Sequence, residues 1–428
     1  MPVNPPALFG IPIDFMLFAA TLTGVALLHQ HVLKVAVTGL VTITLYKLLF
    51  SPFATGAGVA GLAAHLGHEW VLIANLFALL VGFALLSNHF EKSHVPAVLP
   101  RVLPGGWPGG FVLLVMVFVL SSFLDNIAAA MIGGTVAATL FKKRLHIGYL
   151  AAIVAASNGG GSGSVVGDTT TTMIWIAGGS PLQVMHAYIA AIPALLFFGV
   201  VAARQQHAHQ PITRDVPQGV SVDFVRLGIV AAILLSAIGG NVYFNLRHPE
   251  VLDQVPVIGL AVMLAILVTS ALRQPDWSLV PDAVKGSVFL LSLVLCASMM
   301  PVEKLPLASW ATTLGLGFIS AVFDNIPLTA LALRQGGYDW GVLAYAVGFG
   351  GSMIWFGSSA GVALSSFFPE VRSVGQWLRH GWHVAVGYLI GFAVLMAVMG
   401  WHPEPLRRDL PAQPATTVAA PAAPAASR

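Results

Sequence analysis

The sequence predicts an all-α polytopic membrane protein of two inverted-topology repeats. Each repeat is expected to hold three spans, a re-entrant hairpin, a broken span and a further span, about 10 spans plus 2 hairpins in all. Three observations carry this reading. The first is composition. Of 428 residues, 57% are hydrophobic and 9% are charged, and mean hydropathy is +0.84; a soluble domain carries about a quarter charged residues. So few charges cannot cover a water-facing surface, which sets aside a soluble enzyme, a nucleic-acid binder and a disordered chain. The second is the recurrence of apolar stretches near the ~20 residues that cross a bilayer. The third is a pair of polar interruptions that returns in the same order in the second half.

The elements follow in order. Residues 1–10 form an N-terminal segment. The first basic residue is Lys34, so Met1 to Leu28 lacks the positive segment of a signal peptide. Residues 11–28 are therefore expected to be a retained first span. Further spans are predicted at 32–50, 70–90, 146–178, 184–203, 222–245, 254–272, 284–301, 340–367 and 380–400. The 146–178 stretch contains SNGGGSGSVVGDTTTT and the 340–367 stretch contains GFGGSMIWFGSSAG. Glycine costs about 1 kcal/mol against alanine inside a helix, so both runs are expected to open the helix. Stretches 110–140 and 310–333 carry DNI near their centres. Their arms are too short to cross, and they read as hairpins with DNI at the tip.

Each half, 11–203 and 222–400, thus contributes five crossings. Five is odd, so the halves are expected to sit in opposite orientations. Residues 204–221 read as a cytoplasmic linker, and 401–428 as a disordered Pro/Ala-rich tail. With the amino terminus outside, most Lys and Arg fall on inner loops, while Lys47, Arg247, Lys304, Arg334, Arg407, Arg408 and Arg428 fall outside. That bias obeys the positive-inside rule. The single cysteine, Cys296, allows no intramolecular disulfide and reads as packing.

The charges expected at membrane depth are Asp125, Asp168 and Asp324, with no evident Lys or Arg partner. A central Asp costs about 2.5–3.5 kcal/mol on insertion scales, so a bound Na⁺ or proton is the natural counter-charge. Capping of half-helix ends is the structural alternative. A hard cation prefers oxygen. Candidate ligands are Asn126, Ser157, Asn158, Thr169, Thr170, Asn325, Ser352, Ser358 and Ser359, with Ser162 and Ser164 nearby. Asp125, Asn158, Asp168 and Asp324 are the leading Na⁺ candidates. Thr171 and Thr172 read as hydroxyls bonded to the preceding turn. His89, Glu91 and His94 do not share a helix face and read as a solvated inner surface rather than a metal site. His186 and His383 read as interfacial. No P-loop, nucleophile elbow, paired-Cys motif or HExxH occurs.

At these residues the chain resembles the ion transporter superfamily, which includes NhaD-type sodium/proton antiporters, arsenite permeases and citrate and dicarboxylate carriers. SNGGGSGSVVGDTTTTMIWIAG at 157–178 and FDNIPLTALAL at 323–333 carry the resemblance. It implies that Asp125/Asn126 and Asp324/Asn325 are hairpin-tip ligands and that Asn158, Asp168 and Thr169 line the opened helix. Two departures stand out. The second broken helix has no acidic residue to answer Asp168, and the Ser-Asn-Thr tips of dicarboxylate carriers have no match. The expected function is secondary active Na⁺/H⁺ antiport, by competition of cation and protons at membrane-embedded carboxylates with alternating access. An anion permease for citrate, a dicarboxylate or arsenite is the alternative. Neither reading needs a cofactor beyond the transported Na⁺ and H⁺. The expected partners are the lipid bilayer, small ions or a small anion, and a second copy in a homodimer, with no nucleic acid. The expected location is a bacterial-type inner or plasma membrane.

Overall fold

A computed structural model describes residues 6–28, 31–98, 101, 103–212 and 220–406. The Pro/Ala-rich tail from 407, residues 213–219 of the linker and residues 1–5 lie outside the described residues. The chain is an all-α, multi-pass integral membrane protein. Its described strands are one short antiparallel pair, β1 (Ala7–Leu8) and β2 (Ile11–Pro12).

Three helices open the chain: α1 (Ile13–Leu27), α2 (Val32–Leu49) and α3 (Gly58–Glu91). A short α4 (Val95–Val98) follows. Next come a helix pair, α5 (Trp107–Ser121) and α6 (Asn126–Leu140), and an interrupted helix, α7 (Ile147–Ser162) and α8 (Thr169–Ile176). A single turn, α9 (Pro181–Met185), leads into α10 (Ala187–His209). The same order then returns. It runs α11 (Phe224–Arg247), a short α12 (Pro249–Leu252), α13 (Val257–Thr269), α14 (Val280–Ser298), the pair α15 (Trp310–Ser320) and α16 (Asn325–Gln335), the interrupted α17 (Trp340–Gly350) and α18 (Ser359–Phe367), and α19 (Val374–Val398).

Among the described residues, six helical segments are long and apolar enough to cross a membrane: Val32–Leu49, Gly58–Glu91, Pro181–His209, Phe224–Arg247, Trp277–Ser298 and Val374–Val398. The other four expected spans correspond to α1, α13 and the two interrupted helices. Expected limits shift in several places. The third span begins at Gly58 rather than residue 70, because no breaker interrupts GLAAHLGHEW. α10 continues through His209, past the expected start of the linker at 204.

The helices pack as two groups. α1, α2, α3, α11, α13 and α14 form one. α5 to α10 and α15 to α19 form the other, with α7 and α17 at its centre. Every residue from Gly148 to Ser162 of α7 is buried, as is all of α17. A helix apolar on all sides belongs inside such a bundle. The two groups meet where α3 and α14 pack on α6, α8 and α16.

Both glycine-rich runs open the helix as expected, but not at every glycine. Gly159, Gly160 and Gly161 remain helical, and the interruption falls at 163–168. The second run behaves alike, with helix through Gly350 and the interruption at 351–358. Close approach, not helix breaking, explains these glycines. A Cβ on Gly160 would stand 2.0 Å from the Phe118 carbonyl oxygen of α5, and one on Gly350 would stand 2.3 Å from the Gly317 carbonyl oxygen of α15. Each interrupted helix therefore lies directly against the first arm of its own helix pair.

The DNI expectation holds in form. The α5–α6 turn ends at Asp125 and the α15–α16 turn ends at Asp324, each at a helix N-cap. Their dihedrals match: φ −52° and ψ 142° at Asp125, φ −52° and ψ 141° at Asp324.

Three expectations about charge and polarity are overturned. Lys47 does not face an outer surface. It is buried and donates to Asp14 Oδ1 at 3.1 Å, with Ser51 beside the same carboxylate at 3.5 Å. α1 and α2 run antiparallel, so the start of one and the end of the other share a level, and two buried charges must pair. His383 is not interfacial but fully buried, and both ring nitrogens lack a partner. His89 is also buried, with Arg226 3.0 Å from its Nδ1, rather than part of a solvated face. Cys296 is packed in the core.

Candidate functional site

Four helix starts converge on one point. The turns before α6 and α16 bring Asp125–Asn126 and Asp324–Asn325 inward, and the interruptions before α8 and α18 bring Asp168 and Ser358 inward. Asp168 and Ser358 occupy equivalent N-caps, at φ −146° ψ 145° and φ −141° ψ 152°. The second half thus places a neutral hydroxyl where the first places a carboxylate.

Asp168 is the hub, 3% exposed. Asn126 donates its amide to Asp168 Oδ1 at 3.3 Å, and Asn325 donates to Oδ2 at 3.3 Å. One asparagine from each helix pair therefore grips one oxygen of the same carboxylate. The backbone N–H of Thr170 reaches Oδ1 at 3.4 Å. The Thr170 hydroxyl lies beside this carboxylate but outside hydrogen-bond geometry. Asn126 also donates to Asn158 Oδ1 at 3.0 Å, and Asn158 donates to Ser352 Oγ at 2.9 Å. The network thus crosses from the first half to the second through side chains alone.

Asp125 and Asp324 are half-buried and lie within electrostatic range of Asp168. Asp324 caps Ile326 N–H at 3.0 Å and accepts from Ser359 Oγ at 2.9 Å. A cavity of about 270 Å³ opens beside this cluster. Its polar wall includes Asp125, Asn126, Asp168, Thr169, Asn325 and Ser359; its opposite wall includes Phe83 and Ser87 of α3 and Ser287 and Leu290 of α14. Among the described residues no Lys or Arg lines it. Asp324 opens instead on an adjoining apolar cavity of about 280 Å³, which shares Ser359 and Leu290 with the first.

The remaining expected residues turn their hydroxyls to other partners. Ser157 turns its hydroxyl onto Val154 O at 2.9 Å, and Ser162 turns onto Gly159 O at 2.8 Å. Ser358 caps Gly361 N–H at 3.3 Å. Ser164 donates to Ser122 O at 2.7 Å. Thr171 and Thr172 bond back to Asp168 O, as expected. They also reach Ser164 O at 2.6 Å and Val165 O at 2.8 Å, occupying carbonyls that the interruption frees.

Sequence reasoning missed Ser87 and Ser287, whose helices carry no local signal of facing a site. It also missed the burial of Glu69 on α3. The Asp14–Lys47 pair was legible in principle, as opposite charges at matching levels of two consecutive antiparallel spans.

Fold and site together define an integral membrane protein with a central carboxylate held between two helix pairs and two interrupted helices. No family model matches the chain. A stretch of it is similar to the "Sodium/proton antiporter 1" of Arabidopsis thaliana, 35% identical over 104 residues. That similarity covers 21% of this chain and 17% of the plant protein, so the chain spans about a sixth of the length of the curated relative it matches.

Proposed function

We propose that this protein is a secondary active transporter that exchanges Na⁺ for protons at the Asp168 cluster. The observation that carries the reading is a buried carboxylate with two carboxylate neighbours, beside a cavity without a basic residue. A carboxylate withdrawn from water favours its neutral form, while an adjacent cation favours the ionised form. Protons and Na⁺ then compete for one place. Three interacting carboxylates titrate as a set, so the exchanged proton belongs to the cluster.

The similarity to a plant sodium/proton antiporter supports this reading over one stretch. The return of the element order, with matched N-caps, supports two repeats of inverted topology. Alternating access then moves the group holding α6, α8 and α16 against the wall of α3 and α14. The lack of Lys or Arg around the cavity weighs against a free anion as cargo.

The test is fluorescence dequenching in proteoliposomes under a pH gradient, adding Na⁺, Li⁺, K⁺, citrate and arsenite in turn. Na⁺ or Li⁺ is expected to release protons from wild type, and Asp168→Asn is expected to abolish the signal while the protein still folds. Full activity in that variant removes Asp168 from the mechanism, and a response to citrate alone overturns the cation reading.

A further inference from the structure

The cavity at Asp168 is one end of a longer seam. α3 and α14 form one side of it, and α8 and α16 form the other. A second cavity, of about 90 Å³, opens between the same four helices further along. It is lined by Glu69 of α3, Ser298 of α14, Met173 of α8 and Arg334 of α16, among others.

The order of residues along each helix fixes this arrangement. On α3, Glu69 and Leu72 face the second cavity, and Leu80 and Phe83 face the first. Between them lie Leu76 and Leu79, both buried in packed core. The stretch from Leu72 to Leu80 spans about 12 Å at 1.5 Å per residue. On α16, Asn325 faces the first cavity and Arg334 the second, with buried Thr329 between. The two cavities are therefore opposite ends of one interface, separated by packed side chains.

Glu69 is 5% exposed and lines this cavity, and among the described residues no hydrogen bond or ion pair within 4 Å holds its carboxylate. A buried carboxylate with no direct partner is costly unless a charge or water compensates it. Arg334 lines the same cavity, yet no salt bridge within 4 Å joins the two. His65, one turn earlier on α3, is hydrogen-bonded with Ser298 Oγ at 3.0 Å and lies within electrostatic range of both Glu69 and Arg334. The two charges sit on opposite sides of the seam, so any sliding of one side against the other changes their separation.

We propose that Glu69 is a second carboxylate station for the transported cation, at the end of the seam opposite the Asp168 cavity, with Arg334 as its counter-charge in this conformation. The proposal rests on the antiport reading. When α8 and α16 shift against α3 and α14, Arg334 travels with α16 and Glu69 stays on α3. With Arg334 moved away, the carboxylate meets a cation arriving from that side. Glu69 thus sets cation affinity on one face of the membrane only, whereas Asp168 serves both.

The experiment measures exchange in proteoliposomes of defined sidedness, supplying Na⁺ from one face at a time. The proteins are wild type, Asp168→Asn, Glu69→Gln, Glu69→Asp and Arg334→Gln. Glu69→Gln is expected to raise the half-saturating Na⁺ about tenfold from the face nearest Glu69, as loss of one charged ligand implies, and to leave the other face unchanged. Glu69→Asp keeps the charge and is expected to stay near wild type. Arg334→Gln is expected to lower the half-saturating Na⁺ on the Glu69 face alone, which keeps the proposal testable should Glu69→Gln not fold. Equal effects from both faces, or none from either, overturn the Glu69 proposal and leave antiport standing. A wild type that exchanges no cation for protons overturns antiport, and the Glu69 proposal falls with it.

Discussion

Asp168 and Ser358 occupy equivalent N-caps, and the difference between them concentrates negative charge on one side of the site. A carboxylate at both caps would add a fourth acid to a cluster that already repels itself. The hydroxyl at Ser358 caps its helix without that cost. A different logic holds Asp14 and Lys47, which are buried as a direct pair with Lys47 also 5.6 Å from the Phe53 ring centroid. Removing one partner of a buried pair strands the other charge, at about 3–5 kcal/mol. Lys47→Met is therefore expected to lower the melting temperature in detergent sharply. The double variant Asp14→Leu/Lys47→Met is expected to recover most of the loss, since a well-packed apolar replacement is often neutral. A double variant as unstable as the single one would show that the pair does more than neutralise itself.

At the scale of elements, the glycine-rich runs act through contact distance. Gly160 of α7 on Phe118 of α5, and Gly350 of α17 on Gly317 of α15, leave no room for a Cβ. The same holds at the interruptions, where a Cβ on Gly167 would stand 2.2 Å from Ser121 O and one on Gly357 would stand 2.5 Å from Ala321 O. These contacts lock each interrupted helix to its own helix pair, which keeps Asn126 against Asp168. Gly160→Ala removes helix entropy cost but forces backbone apart. The second effect is expected to win, with a net loss of about 1–3 kcal/mol typical of overpacking. Thermal unfolding of the purified variant measures it, and a melting temperature at or above wild type would refute the close-contact account. The sequence predicts that the glycine-rich runs open the helices, and each does, at 163–168 and 351–358 rather than at Gly160 or Gly350. The spacing alone could not distinguish a break from a close approach, because both tolerate glycine and only the neighbour's position decides.

At the scale of the molecule, two packed groups meet along one seam, and their surface carries few ionic ties. One is Lys92, at the end of α3, which donates to Asp276 Oδ2 at 2.7 Å in the segment leading to α14. The Lys92 hydrogen bond, helped by Ser278, holds the Asp276 carboxyl down at about 2. A depressed carboxylate contributes stability above its unfolded value of about 3.9 and loses it as pH falls through its folded value. The melting-temperature difference between wild type and Asp276→Asn is therefore expected to be constant from neutral pH down to about 4, then to vanish as pH approaches 2. It is also expected to shrink at high salt, as an exposed pair is screened. A difference that persists at pH 2 would assign the effect to packing.

Local chemistry alone determined that this chain lives in a bilayer, which stretches of it are interrupted, and which acids stand at the interruptions. These follow from transfer free energy and from residue types that caps and turns require, both readable within a few positions. The tertiary structure decided what lies far apart in sequence: that Asn126 and Asn325 share one carboxylate, that Asn158 reaches Ser352 across the halves, that Lys47 answers Asp14, and that Glu69 faces Arg334. Each of these depends on which helix faces which, and helical faces with nearly uniform hydrophobicity carry no periodic signal to reveal it.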